Sequence, residues 1–550
     1  MQDLAIACDC AGMKRVCLLQ CSAFFLFGPR LVPKGSSDVP KRSPDYELGN
    51  AMPSQPSIHE SVKSRVFAFP SSLVMSEPME GLMKVRSVNR ICLLAVCCVL
   101  MEITGCISSS QSGEAPELLS VVAISRHGIR SPTSTQATMD LYTTRPLGFP
   151  QWAPPADVAG QLSTVGQQNA ARLGAWYRDF YAAQGLLPPR GTCPAAGTVF
   201  AYADLFERTL HTAQGYVDGM FQSEAIPDCG VQVIQSDKPI DPYIDTARTG
   251  ICAIDTVGDL AAFNAKTDGG NSASLIKTYS TQIAALQAVT QCCQPAACKT
   301  LANPTPISCS LLDLPTTVNS NGSVGFTSGS LFDVADALSE TLELEYAQGM
   351  SDTDCATAPG ARCLGWGAIP PGGLQDMTKL HVLNMVDLTC QLPSYAQVGS
   401  SNLMWQVVGT MGQALSGVKN PEMLAPTESK FTLIVAHDEN ISAIAGFLGG
   451  LTWKADGFEQ NDPGPAGALV FELYRVKQSE QTIVRLFYVI ASLDQMRSGT
   501  TLTLDTPPQR IPLAIPACGG LLDCPYDQFK SFITAHVRPD CLIPSASQQP

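Results

Sequence analysis

The chain predicts an α/β protein with a central, mostly parallel sheet flanked by helices and a second, largely helical cap domain inserted into it. Three observations carry this. Two apolar runs rich in β-branched residues, Val121-Val122-Ala123-Ile124 and Phe431-Thr432-Leu433-Ile434-Val435, read as buried strands. Short strands and amphipathic helical segments alternate around them, the pattern of a layered α/β fold. From about Thr256 to Ala396 the composition turns rich in Ala, Ser, Thr and Gln and carries seven cysteines, as an insertion over the sheet edge would.

The 550 residues suffice for one large or two medium domains. An apolar content of 45% with 15% charged residues excludes wholesale disorder. The net charge of −14 argues against a nucleic-acid surface, so any anion site is a local basic cluster. Of the 21 cysteines, thirteen follow Cys106, several beside Gly, Pro or Asp, and none recurs in pairs at zinc spacing. Disulfides and an oxidising, extracytoplasmic compartment follow. Thirteen is odd, so one thiol should be free or paired between chains.

In chain order, residues 1–82 do not read as a domain and fit translation from too early a start codon. Residues 83–105 read as an export signal: a basic Met83–Arg90, then an apolar Ile91–Met101 too short to span a bilayer. Ile103-Thr104-Gly105-Cys106 resembles the lipobox of bacterial lipoproteins, which implies lipidation of Cys106. The alternatives are a plain cleaved signal ending near Ala115 and a weaker signal beginning at Met13.

The first part of the α/β domain is expected over 114–255. Its opening strand ends in Arg126-His127-Gly128-Ile129-Arg130-Ser131-Pro132, and Pro132 stops regular structure. Ser163 starts a helix whose face holds Val165, Leu173, Trp176, Tyr177 and Phe180, and Gly185 ends it. Val199–Ala203 is a short strand, Asp204 to Met220 is loop into helix, and Val231–Ile234 alternates again. The helical cap spans 256–396, with Leu331, Val334, Leu338 and Leu342 on one helix face. The second part, 397–550, holds a helix over 403–415, the strand Phe431–Ala436, and closing strands at 467–475 and 483–490.

The chemistry sits at strand ends, where open α/β sheets hold ligands. Arg126 and Arg130 form a fork-shaped cradle for a phosphate or carboxylate. Their charge keeps His127 neutral, hence a candidate nucleophile. His437-Asp438 follows the second strand, and an acid there can protonate a departing alkoxide while the histidine donates to a phosphate oxygen. Arg208 adds a third cation, suited to the charge that phosphoryl transfer spreads over equatorial oxygens.

Arg126-His127-Gly128-x-Arg130-x-Pro132 resembles the signature of the histidine acid phosphatases, the branch of the histidine phosphatase superfamily that includes phytases. Asp204-x-x-Glu207-Arg208-Thr209 and His437-Asp438-x-Asn440 are similar to further motifs of that family, and the likeness covers roughly residues 117 to 541. The resemblance implies His127 and Asp438 as catalytic residues and Arg126, Arg130, Arg208 and His437 as phosphate ligands. It adds Thr133 and Glu340 at the substrate, the latter near the leaving group. It implies bridges Cys193–Cys229, Cys252–Cys541 and Cys518–Cys524, leaving Cys292, Cys293, Cys298, Cys309, Cys355, Cys363 and Cys390 unassigned. His211, His381 and His536 read as structural or surface residues.

The function so implied is an exported acid phosphatase acting on phosphate monoesters through a phosphohistidine. The expected partner is a small phosphate ester, with no cofactor, metal or nucleic acid, and membrane contact only through the lipid anchor of a bacterial periplasmic or outer-membrane lipoprotein. Between residues 253 and 400 five Lys or Arg face thirteen Asp or Glu, and Ser134 stands where bacterial phytases often place a lysine. Both lean toward broader or smaller substrates, with phytase or glucose-1-phosphatase as the alternative. A catalytically inactive, anion-binding surface lipoprotein is the rival from another class.

Overall fold

A computed structural model of the chain describes residues 115–222, 229–300, 303–352 and 363–543. The signal segment, Cys106 and Cys355 lie outside the described residues. Among the described residues no helix is long and apolar enough to cross a membrane.

The strands are β1 (Glu117–Arg126), β2 (Val199–Ala203), β3 (Val233–Ile234), β4 (Val318–Asn319), β5 (Gly325–Phe326), β6 (Phe431–Ala436), β7 (Ala468–Val476), β8 (Gln481–Ile490), β9 (Gln509–Leu513) and β10 (Cys524–Pro525). One sheet runs β10-β8-β7-β1-β6-β2-β3, with β9 also on β8, and β4-β5 form a separate hairpin. Its core half, β1-β6-β2-β3, is parallel. β7 to β10 add an antiparallel half, because a short turn joins β7 directly to β8. The parallel strands are apolar on both sides because helices cover both faces, so Val121 to Ile124 and Phe431 to Ala436 are all buried.

Register positions the site. Arg126 pairs with Ala436 and Ala203 with Val435, so β1, β6 and β2 end at one level. The turns carrying His127, Asp204 and His437 therefore leave the sheet side by side. His127 is fixed there by its backbone: its N–H donates to the Ala436 carbonyl at 3.0 Å, and its own carbonyl accepts from Ala466 at 2.9 Å.

The helix Thr164–Ala183 starts where Ser163 Oγ accepts the Gly166 N–H at 2.9 Å, the cap its sequence predicts. It packs on the helix Glu207–Phe221 at backbone distance. A Cβ on Gly174 would lie 2.2 Å from the Tyr216 carbonyl oxygen, and one on Gly219 1.8 Å from that of Ala171. This closeness lets Thr212 Oγ accept the Gly128 N–H at 2.8 Å, so the second helix braces the turn that follows β1.

A second hydrophobic cluster is built mainly from the cap. Phe263, Leu286, Leu338 and Met377 come from the helices Thr256–Lys266, Ser280–Thr290, Leu331–Ala347 and Gly373–His381. Two details differ from the expected division. Met139 and Phe149, from well before residue 256, join this cluster. The helix Pro393–Ser416 runs through the expected boundary at 396. Its first turns are rich in Ser, Gly and other small or polar residues, and Val398 to Met404 are buried on every side, so no apolar stripe marks where it starts.

Sulfurs are bonded between Cys193 and Cys229, Cys252 and Cys541, and Cys518 and Cys524. Cys292 joins Cys293 and Cys298 joins Cys309. Cys390 is a buried free thiol among the described residues.

The helix Leu331–Ala347 buries several acids, and Glu345 is the simplest to read. Burial pushes its carboxyl up to about 8, although it accepts the Gly365 N–H at 3.0 Å. A carboxyl with a raised folded-state pKa is equally protonated in both states at low pH. Stability is then lost as pH rises from the ordinary carboxyl range through about 8. Thermal denaturation should show a higher Tm at pH 5 than at pH 8. Glu345→Gln, which keeps the acceptor for Gly365, should flatten that slope by on the order of a few kcal/mol. An unchanged slope in the variant would place the pH sensitivity elsewhere.

Candidate active site

The three strand ends open into a cavity of about 440 Å³ lined by His127, Arg130, Thr133, Phe206, Arg208, His437 and Asp438, with cap residues Asp333, Asp336, Glu340 and His381 opposite. Every site residue expected from the sequence lines this cavity except Arg126 and Cys106. Arg126 lies fully buried beneath it, and Cys106 lies outside the described residues.

His127 Nδ1 lies 2.9 Å from the Gly128 carbonyl, which can only accept. Nδ1 therefore carries the hydrogen and Nε2 keeps its lone pair. Burial first, then Arg208, Arg130 and Arg126, push the imidazole well below its ordinary pKa, so the ring is neutral even in acid.

Arg126 has no exposed surface and is held by three acceptors. It donates to the Pro463 carbonyl at 3.0 Å and pairs with Asp438 at 2.7 Å and with Glu340. Arg130 donates to both oxygens of the same Glu340 carboxylate, at 2.8 and 3.1 Å. Glu340 thus bridges the two arginines. Burial opposes its ionisation, but Arg130, Arg126 and His381 together hold its pKa below the ordinary value. Asp438 behaves alike. Burial works against its charge, and Arg126, Arg130 and His381 outweigh it, leaving the carboxyl well below the usual range.

His437 is positioned from β2. Its Nε2 lies 2.6 Å from Asp204 and its Nδ1 3.4 Å from an Arg208 guanidinium nitrogen. Asn440 Oδ1 accepts the His437 N–H at 3.1 Å and fixes the turn into the helix Asp438–Phe447. Arg208 stacks on Phe206, its guanidinium carbon 4.3 Å from the ring centre. Burial and Arg130 lower its pKa to about 10, so it stays cationic at any working pH.

Two groups take roles that the sequence reading did not give them. Asp204, fully buried, anchors His437, and its place at the head of the Asp204-x-x-Glu207-Arg208-Thr209 motif was the available signal. His381, expected to be structural or at the surface, is buried and faces the site. Its Nδ1 lies 2.6 Å from Asp336, whose other oxygen accepts from Asn384 at 2.7 Å. His381 ends the helix Gly373–His381, where the chain widens into π-helical turns over Val382–Cys390, and no periodicity argument reveals that junction. Asp204, Asp245 and His437 bring three potential ligand atoms within 4.8 Å of one another. The short His437–Asp204 hydrogen bond already accounts for two of them.

Comparison with known proteins supplies independent findings. The family model described as histidine phosphatase superfamily (branch 2) matches residues 117–489. Phytase AppA of Escherichia coli (strain K12) is 29% identical over 424 residues, 76% of this chain and 91% of that protein. A glucose-1-phosphatase of Salmonella typhimurium (strain LT2) is 26% identical over 448 residues, 79% of this chain and 96% of its own. Among solved structures, the phytase from Citrobacter braakii superposes with a TM-score of 0.67 at 25% identity, covering 78% of this chain and 100% of its own.

Proposed function

Because the chain belongs to the histidine phosphatase superfamily (branch 2), we propose that it is an exported acid phosphatase that cleaves phosphate monoesters through a phosphohistidine at His127. Hydrolysis of phosphate esters is the activity of its family. The observation that carries the finer reading is a neutral imidazole whose Nε2 lone pair is left free in a cavity ringed by arginines.

In this reading the phosphate takes the place of the Glu340 carboxylate on Arg126 and Arg130, and Arg208 and His437 hold its remaining oxygens. Asp438 is ionised in the free protein, so its proton is acquired in the complex, where the phosphate charge cancels the pull of the arginines. His127 Nε2 forms a bond to phosphorus as the ester P–O bond breaks. The leaving oxygen keeps that electron pair and takes the proton of Asp438. Asp438, now a carboxylate, takes a proton from water as its oxygen attacks phosphorus. The P–N bond breaks, and its electron pair returns to His127. Positive charge for the transition state comes from the arginines and needs no metal ion.

For the substrate we favour small or varied monoesters. Asp245, Asp333 and Glu439 join the cavity wall, a poor surround for a polyol carrying many phosphates. Phytate is the second reading, supported by the similarity to Phytase AppA. Export is supported by five bonded cysteine pairs among the described residues, and lipidation at Cys106 rests on the sequence alone.

Three outcomes are expected. His127→Ala should lower kcat on p-nitrophenyl phosphate by about 10³-fold or more with the Tm little changed, and near-parental turnover would remove the nucleophile assignment. Asp438→Asn should slow sugar phosphates far more than the nitrophenyl ester, whose leaving group needs little help. In the parent, kcat should fall as pH rises through the pKa of Asp438 in the complex, and the variant should lose that limb. Equal losses on both substrates would make Asp438 an orienting group only. Finally, Cys106→Ser should move the protein from the membrane to the soluble fraction or block its processing. A parent that is wholly soluble, with an N-terminus beyond Cys106, contradicts lipidation.

A further inference from the structure

Glu340 raises a question the proposed reaction leaves open: where does its carboxylate go when phosphate arrives? It is buried, negatively charged and bound to both cradle arginines. Moving it off them without a new partner would strand a buried charge, which is strongly unfavourable. The dianionic phosphate beside it would make that worse.

One group on the opposite wall fits the need. His381 is 2% exposed, and its Nε2 has no hydrogen-bond partner. Its Nδ1 is pinned at 2.6 Å to Asp336. Asp336 and Glu340 lie four residues apart on the helix Leu331–Ala347, one above the other on the face turned to the cavity. Nε2 is the ring nitrogen left without a partner, and Glu340 lies close enough to the ring to act on its charge. The other charged groups around the imidazole are Glu340 on the same helix as Asp336, Asp438 after β6, and Asp462 before β7. Burial would depress the pKa of His381, but Asp336 and these acids override it and raise it to about 9. Burial also lifts Asp336, while His381 and Asn384 pull it back down. The ring is an imidazolium with one N–H committed and one unspent.

We propose that His381 is a positioning residue: its Nε2–H receives the Glu340 carboxylate when a phosphate group displaces it from Arg126 and Arg130. The exchange keeps every buried charge paired in both states. Arg126 and Arg130 trade one anion for another, and Glu340 trades two arginines for one imidazolium. This rests on the phosphate-binding part of the proposed function but not on its chemistry, so binding is what tests it.

The test is calorimetric binding of inorganic phosphate at pH 5 to the parent, Glu340→Gln, His381→Phe and the double variant. Glu340→Gln should bind about ten-fold more tightly, since a neutral amide competes poorly for the arginines. His381→Phe should bind about ten-fold more weakly. In the Glu340→Gln background the same His381 change should matter less than about two-fold. A loss of equal size in both backgrounds would mean that His381 touches phosphate or merely shapes the site, and no loss in either would leave it without a role. Should His381→Phe fail to fold, the His381 Nε2 resonance decides the question in histidine-labelled protein. It should shift on phosphate saturation in the parent and stay in place in Glu340→Gln, and the opposite pattern overturns the proposal. A parent that binds phosphate with this coupling but hydrolyses no ester would separate failure of the catalytic reading from failure of this one.

Discussion

A fully buried guanidinium at residue 126 sets the terms for its surroundings. A charge without solvent needs partners, and the chain supplies them from three distant segments: Glu340 from the cap, Asp438 after β6 and the Pro463 carbonyl before β7. Burial would lower the pKa of Arg126, but Asp438, Glu340, Asp462 and Glu343 raise it instead, so it is a permanent cation. The acids that satisfy it are in turn held ionised. His127, buried and beside Arg208, Arg130 and Arg126, is left neutral. Burial and the three arginines together set the protonation states around the site.

The acids deeper in the cap carry the opposite signature. Glu343 and Asp462 lie against each other, and burial together with their mutual repulsion drives Glu343 well above the ordinary carboxyl range. Glu343 therefore holds its proton to higher pH than an exposed glutamate does. With Glu345, it makes the helix Leu331–Ala347 a segment that prefers acid. The proposed reaction needs a protonated acid at Asp438, and the raised carboxyls of this helix favour the same acid range from a separate direction.

Much of this was legible before any coordinates. β1, β2, β6, β7 and β8 were readable because buried strands are long apolar runs, and the motifs at their ends fall into one cavity because parallel register aligns those ends. β3 falls within the alternating segment Val231–Ile234, whereas β9 and β10, edge strands that each contain a proline, carry no apolar run to mark them. The antiparallel half follows from connection length, which residue patterns express weakly. The cap was legible as a change in composition but not in its edges, since Met139 and Phe149 reach into it from afar. The roles of Asp204 and His381 were hidden for different reasons. A single aspartate after a strand is ordinarily a turn residue, and a lone histidine on an apolar helix is ordinarily core. Only the placement of their partners, His437 and Asp336, gives them a role.

The account stands on a covalent step at His127, and the most direct measurement is the mass of that step. Enzyme mixed with a substrate of fast leaving group, quenched into base within milliseconds and digested, should yield the peptide containing His127 with one added phosphate. The modification should be stable to alkali and lost in acid, as expected of a phosphorus–nitrogen bond. Phosphate on any other residue, or an unmodified His127 peptide while product forms in a burst, would contradict the account.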